Sequence, residues 1–232
     1  MLDLVRAYMH TFFGYGHVRA KYWFIGLEEG GVSTLEEFER RVRVWSKLGQ
    51  PPLADIREFH QSIEADHWFR PGAPLERTWR PLIRTRYAAE KKPADTAELK
   101  RFQGHDLAST SGDMALLELL PLPSPGRAAD EPWIYSALPL PELASRDRYL
   151  RAITNLRRDA LINLIDRHAP VAVVTYGQMS DWQKWLNATR RLNDKAWTTR
   201  RGSTIVVCTH HPEGARSNAH WDEIGRYIAA SR

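Results

Sequence analysis

A single cysteine stands in 232 residues, so the chain can close no internal disulfide and cannot alone supply the several thiolates of an iron–sulfur cluster. That residue, Cys208, falls within an apolar run and reads as a buried small apolar side chain. No run of about 18 apolar residues occurs, which leaves nothing that reads as a membrane-spanning helix, and no membrane partner is expected. The opening stretch Met1–His10 lacks the basic-then-apolar order of a secretory signal, so the expected location is the cytoplasm. Acidic residues are the scarcer charge, 28 Asp and Glu against 33 Lys and Arg, giving a formal net charge of +5 and a pI near 9.4. Such an excess favours an anionic partner such as nucleic acid, because clustered cations replace counterions condensed on phosphates, and affinity for an oligonucleotide is then expected to fall steeply as salt rises. Spacing alone does not fix whether Arg40, Arg41, Arg43, Arg190, Arg191, Arg200 and Arg201 share a face.

What is present suits one sizeable core. With 43% hydrophobic and 26% charged residues, residues 1–232 read as a single domain. Leu2–Phe13 carries apolar residues at helical spacing, and Thr34–Trp45 reads as a helix capped by Ser33 or Thr34, with Glu36 and Glu37 in its first turn. Tyr149–His168 has a broad apolar stripe with Pro170 just beyond, and Ser180–Ala188 and Asn218–Ala230 complete the set. Between them lie four short apolar runs without period-2 alternation: Lys21–Leu27, Met114–Leu120, Val171–Tyr176 and Thr204–Thr209. Runs of that kind read as strands covered on both faces, and the prolines of Pro121–Pro125 are expected to end the second. Residues 51–112, rich in proline, charge and aromatics, read as an insertion with a helix over Glu76–Glu90 and a loop over Lys91–Gly112.

Alternating helices and apolar strands imply an α/β three-layer sandwich, with a four-stranded, mainly parallel sheet ordered 2-1-3-4 and helices on both faces. Such sheets bind ligands where the chain leaves the carboxyl ends of the strands. Here those ends are Gly26–Gly31, Leu120–Pro125, Tyr176–Gln178 and His210–Arg216, and the first and last are expected to meet at one ligand site.

Two of these turns carry a family likeness. Gly26-Leu27-Glu28-Glu29-Gly30 and His211-Pro212-Glu213-Gly214-Ala215-Arg216 resemble the glycine-bounded turn after the first strand and the His-Pro turn after the last in the uracil-DNA glycosylase superfamily. Leu117–Pro125 and the helix, strand and Gly177 turn of Asn155–Gln178 are similar to that family's middle in order and spacing. The likeness spans roughly 21–45 and 113–230. It implies a uracil-DNA-glycosylase-like fold and a DNA-repair hydrolase that flips a base out of the stack and cleaves its N-glycosidic bond, with no cofactor and with DNA rather than RNA as partner. By the same likeness His211 would stabilise the leaving base and Glu28 the sugar cation or a water. Gly26, Leu27, Glu29, Gly30 and Pro212 would shape the binding turns, while Ala215 and Arg216 would probe the duplex.

The departures change what the site is expected to prefer. Glu29 stands where members carry proline and Glu213 where they carry a small residue, so the pocket is expected to be more negative and to repel phosphate. Glu118 falls near the asparagine with which members read uracil, and an ionised carboxylate only accepts hydrogen bonds, which suits an amino-bearing base edge. A second reading is a catalytically inactive nucleic-acid or nucleotide-binding module, with Trp45, Trp68, Trp79, Trp182 and Trp185 as candidate stacking residues. A third, a divalent-metal hydrolase using His210, His211 and His220 with Glu213 or Asp222, is disfavoured because adjacent residues of an extended chain point to opposite sides; no metal is expected.

Overall fold

Along a strand successive side chains face opposite sides of the sheet, yet Tyr22, Trp23, Phe24 and Ile25 are all at most 1% exposed. Both faces of the sheet are therefore covered, as the unbroken apolar run requires. The computed structural model describes residues 1–124, 133–212 and 217–232. Its strands are β1 (Gly14–Tyr15), β2 (Tyr22–Gly30), β3 (Leu53–Ala54), β4 (Met114–Ser124), β5 (Ala172–Tyr176), β6 (Arg190–Asn193), β7 (Ala196–Arg201) and β8 (Thr204–Thr209). Its α-helices are α1 (Leu2–Thr11), α2 (Leu35–Lys47), α3 (Ile56–Ser62), α4 (Trp79–Ala89), α5 (Thr96–His105), α6 (Arg146–His168), α7 (Met179–Trp185) and α8 (Asn218–Ala230).

Among the described residues one mixed sheet of eight strands, not four, runs in the order β3-β1-β4-β2-β5-β8-β7-β6. The four apolar runs are its centre, β4-β2-β5-β8, all parallel. On one side the two-residue strands β1 and β3 extend it, and on the other the antiparallel pair β6 and β7 does so, β7 lying antiparallel to β8. These four additions carry no long apolar run. Arg190–Asn193 and much of Ala196–Arg201 are polar or half exposed, because this side of the sheet is an edge rather than its interior.

The prolines after Leu120 bend β4 without ending it. Glu28 pairs with Leu120 and Gly30 with Ser124, so a short step on β2 spans a longer arc on β4. Pro121 and Pro123 have no N–H to give a ladder, and the arc finds its bonds elsewhere: the Leu122 N–H donates to the Tyr149 hydroxyl at 3.1 Å and the Tyr135 hydroxyl donates to the Pro123 carbonyl at 2.5 Å. On its other side β4 meets β1 only at Leu116 and Leu117. Beyond them the missing donors cost no strand pairing.

Helix ends obey local chemistry. Thr34 caps α2 in a full capping box with Glu37, and Ser145 caps α6, whose end at Ala169 turns left-handed (φ 44°) just before Pro170. Residues 51–112 include three α-helices. Lys91–Gly112, expected as loop, contains α5, capped by Asp95. α4 lies against α8 so closely that a Cβ at Gly225 would sit 2.4 Å from the Thr85 carbonyl oxygen. Arg84–Asp222 and Arg86–Asp113 ion pairs and the Tyr22–Glu90 hydrogen bond fasten the same segment to α8 and the sheet.

Arg157 of α6 is 1% exposed and reaches no carboxylate among the described residues. Its N–H groups donate to the carbonyls of Leu119, Glu118 and His10, and its guanidinium lies 4.0 Å from the centre of the Phe13 ring. Burial lowers its pKa to about 10, still well above neutrality. The bent half of β4 is thus pinned to α6 and to the end of α1 by a buried cation.

Candidate functional site

The carboxyl ends of the parallel strands open into a cavity of about 700 Å³. Of the residues singled out in the sequence, Leu27, Glu28, Glu29, Gly30, Glu118 and His211 line it. Gly26 lies under its floor instead, in register with Glu118. Pro212 is buried and outside the lining, and Glu213, Gly214, Ala215 and Arg216 lie outside the described residues. His211 is placed by β8 and sets its ring 5.7 Å from that of Tyr176, the last residue of β5, and 3.8 Å from where a Gly177 Cβ would be. A larger residue at Gly177 would meet both the positive φ of 71° and the imidazole.

The expected excess of negative charge is absent at the first turn, because each acid there has an arginine. A single Nη2 of Arg146, the first residue of α6, donates to both oxygens of Glu28 at 2.7 and 2.8 Å, and the Glu28 side chain is only 7% exposed. Arg41 of α2 grips Glu29 through two N–H groups at 2.9 and 3.1 Å. The Tyr15 hydroxyl donates to Glu29 at 2.9 Å, and His60 Nε2 lies 3.5 Å from its other oxygen. His60 Nδ1 sits 2.7 Å from the Ile56 carbonyl, which can only accept, so that nitrogen carries a proton and donates it. Burial works to raise the Glu29 carboxyl, but the Arg41 charge and the His60 contact outweigh it and hold its pKa at about 2.

Glu118 is the opposite case. Burial raises its carboxyl well above the usual range, and the Glu29 and Glu28 carboxylates push the same way, against Arg157 and a hydrogen bond from Tyr176. Glu29 and Glu118, on neighbouring strands at one cavity, are thus pushed in opposite directions by their environments.

Residues 60–79 supply a wall that the resemblance does not cover. Trp79 and Phe69 stack with ring centres 5.5 Å apart, and Trp68 meets Trp79 edge-on at 6.4 Å. Buried Gln103 braces this wall: its amide donates to the Trp68 and Pro74 carbonyls while its oxygen accepts from the Glu76 N–H. Glu76 in turn accepts from the Thr78 and Trp79 N–H groups at the start of α4. Of the tryptophans considered as stacking residues, Trp68 and Trp79 line the cavity, whereas Trp45 and Trp182 are wholly buried and Trp185 packs on the core.

Sequence reasoning missed Arg41, His60, Tyr176 and Arg146 as parts of the site. Tyr176 alone had a signal, as the final residue of a strand whose end was already nominated. Among the described residues no three His, Cys, Asp or Glu side chains come together to hold a metal ion, and no helix is long and apolar enough to cross a membrane. Comparison with protein-family models and with curated proteins finds no match for this chain.

Proposed function

We propose that this chain binds nucleic acid, DNA in preference to RNA, and receives one flipped, altered base in the cavity at the strand ends, where it hydrolyses the N-glycosidic bond. The observation that carries this reading is the meeting of Leu27–Gly30, Glu118, Tyr176 and His211 with the aromatic pair Trp68 and Trp79 around one cavity. An aromatic wall facing hydrogen-bonding groups suits a planar heterocycle, since every base has a π-face and a polar edge. In the reaction, the bond from sugar to base breaks, water adds to the sugar carbon, and the base leaves with a proton. His211 would face the negative charge growing on the base, and Glu28 the positive charge growing on the sugar. With Glu28 and Glu29 each bonded to an arginine, the first turn no longer opposes an approaching phosphate.

One observation favours a binder without chemistry. Arg146 holds both oxygens of Glu28, and a carboxylate so engaged stabilises a cation less. The deciding experiment offers single- and double-stranded oligonucleotides carrying uracil, hypoxanthine or other altered bases, then alkali to break abasic sites. Strand breaks confirm hydrolysis. Binding without breaks selects the inactive module, and absence of both removes the nucleic-acid reading.

A further inference from the structure

Glu118 Oε2 is out of reach of solvent and has no hydrogen-bond partner among the described residues. Its residue faces Gly26 across the β2–β4 pair, and a Cβ at Gly26 would lie 2.4 Å from Oε2, 2.9 Å from Oε1 and 2.8 Å from the Tyr176 hydroxyl. The missing side chain at Gly26 is therefore the space that the Glu118 carboxyl and its tyrosine partner occupy. The remainder of Glu118 lines the cavity.

The charged groups around it are accounted for. Glu28 and Glu29 are the nearest like charges, and the guanidinium groups of Arg146 and Arg41 are bonded to them rather than to Glu118. Arg157 is the cation behind β4, but its N–H groups point at the carbonyls of Glu118, Leu119 and His10, not at the carboxyl. Glu76, His60, His67 and His211 are the other titratable residues of the wall. An ionised Glu118 would leave a bare negative oxygen without a donor, in a dry place, beside two carboxylates. A protonated carboxyl avoids all three costs.

We propose that Glu118 meets its ligand as an uncharged carboxylic acid, and that the cleft is thereby selective for an uncharged heterocycle with a hydrogen-bond acceptor next to a donor. The upward push on this carboxyl from burial, and then from Glu29 and Glu28, agrees with the geometry. A neutral carboxyl both donates and accepts, where a carboxylate only accepts. The lactam edge of uracil or hypoxanthine then fits as well as an amino-bearing edge, which revises the preference read from the sequence. This proposal rests on the reading of the cleft as a base pocket.

Two measurements on the intact protein test it. The first is carbon-13 NMR of labelled glutamate carboxyls in the ligand-free protein, supported by the infrared carbonyl band of a protonated carboxyl. A carboxyl protonated at neutral pH, and missing in E118Q, is expected. An ionised Glu118 overturns the proposal without reference to any ligand, and the wild-type NMR titration reads this even if E118Q does not fold. The second is calorimetric titration with free uracil and hypoxanthine over a pH series. E118Q, neutral at every pH, should bind within a few-fold of wild type at neutral pH. Wild type should lose at least about tenfold relative to E118Q as pH rises through the titration of Glu118, the scale of losing one donor and leaving a carboxylate in its place. Identical pH profiles in the two proteins overturn the selectivity. If the carboxyl is protonated and neither protein binds either base, the base-pocket reading itself fails, and the selectivity claim with it.

Discussion

Two neighbouring carboxylates, Glu28 and Glu29, show how much a side chain's chemistry depends on partners distant in sequence. Each is an ordinary acid at the end of a strand, yet one is held by Arg146, 118 residues away, and the other by Arg41 and His60. Arg41→Ala leaves Glu29 beneath the cleft without its main counter-charge and is expected to cost about 3–5 kcal/mol of stability, read by chemical denaturation. Its pH dependence has a definite sign. The Glu29 carboxyl is held at about 2 in the folded chain against an ordinary 4.5, so its contribution is complete above pH 4.5 and is lost as pH falls to about 2. Wild type should lose stability over that window, and Arg41→Ala should lose less. At the reaction's end of the cleft, His211→Ala should lower base release by about a hundredfold or more while ligand affinity changes little, the scale of removing one oxyanion-type donor. Full activity in that variant would remove His211 from the mechanism. Glu28, Glu29 and His211 were legible because each sits where an apolar run ends, whereas Glu118, inside such a run, was legible only through the family likeness. Arg41, Arg146 and His60 were not, because nothing in the pattern around an arginine or histidine names the acid that folding brings to it.

At the scale of elements, legibility followed burial. The four central runs stood out because both their faces are apolar, and their parallel order follows from the helices between them. β1 and β3 are two residues each, too short for any periodicity, and the edge strand β6 and its neighbour β7 carry polar, half-exposed residues that hide them. The prolines of β4 misled for a physical reason: they remove donors, but here hydroxyls of Tyr149 and Tyr135 take part in the bonding of the arc. α4 and α8 offer a direct test of how firmly residues 51–112 belong to the core. Gly225→Ala would drive a methyl to 2.4 Å from the backbone oxygen of Thr85 and 2.5 Å from Ala88 Cβ. Neither neighbour is the far end of a flexible side chain, so the helices must part, and a loss of about 1–3 kcal/mol is expected in thermal or chemical unfolding. Since Gln103 and Glu76 link this segment to Trp68 and Trp79, hydrogen exchange in Gly225→Ala should quicken at the aromatic wall as well as at the helix contact. A neutral substitution would show that α4 and α8 slide past each other freely.

For the molecule as a whole, net charge and available charge are different quantities. The basic excess of +5 suggested a phosphate-binding face, and seven arginines were its candidates. Six of them are engaged within the protein: Arg40 with Glu64, Arg41 with Glu29, Arg43 with Glu39, Arg191 with Asp194, Arg201 with Asp166, and Arg200 with the Ser231 carbonyl. Arg41 is also buried and lines the cavity, so it adds nothing to an open phosphate-binding face. Exposed pairs such as Arg191–Asp194 are weakly held and can open, whereas the buried Arg41–Glu29 pair cannot do so without loss of the fold. Salt dependence separates the two ways of binding an oligonucleotide. If binding draws on cations outside these pairs and on a base held in the cleft, the logarithm of affinity should fall against the logarithm of salt with a slope of about −2 to −4, corresponding to a few phosphates at roughly −0.9 each for duplex DNA. Affinity should then depend strongly on the altered base, and substitutions at Trp68 or Trp79 should lower it at every salt concentration without changing the slope. A slope steeper than about −6 would mean that the exposed ion pairs open and that the surface, not the cleft, supplies the binding energy. Salt-independent binding, or none at low salt, would point to a small-molecule partner for the same cavity.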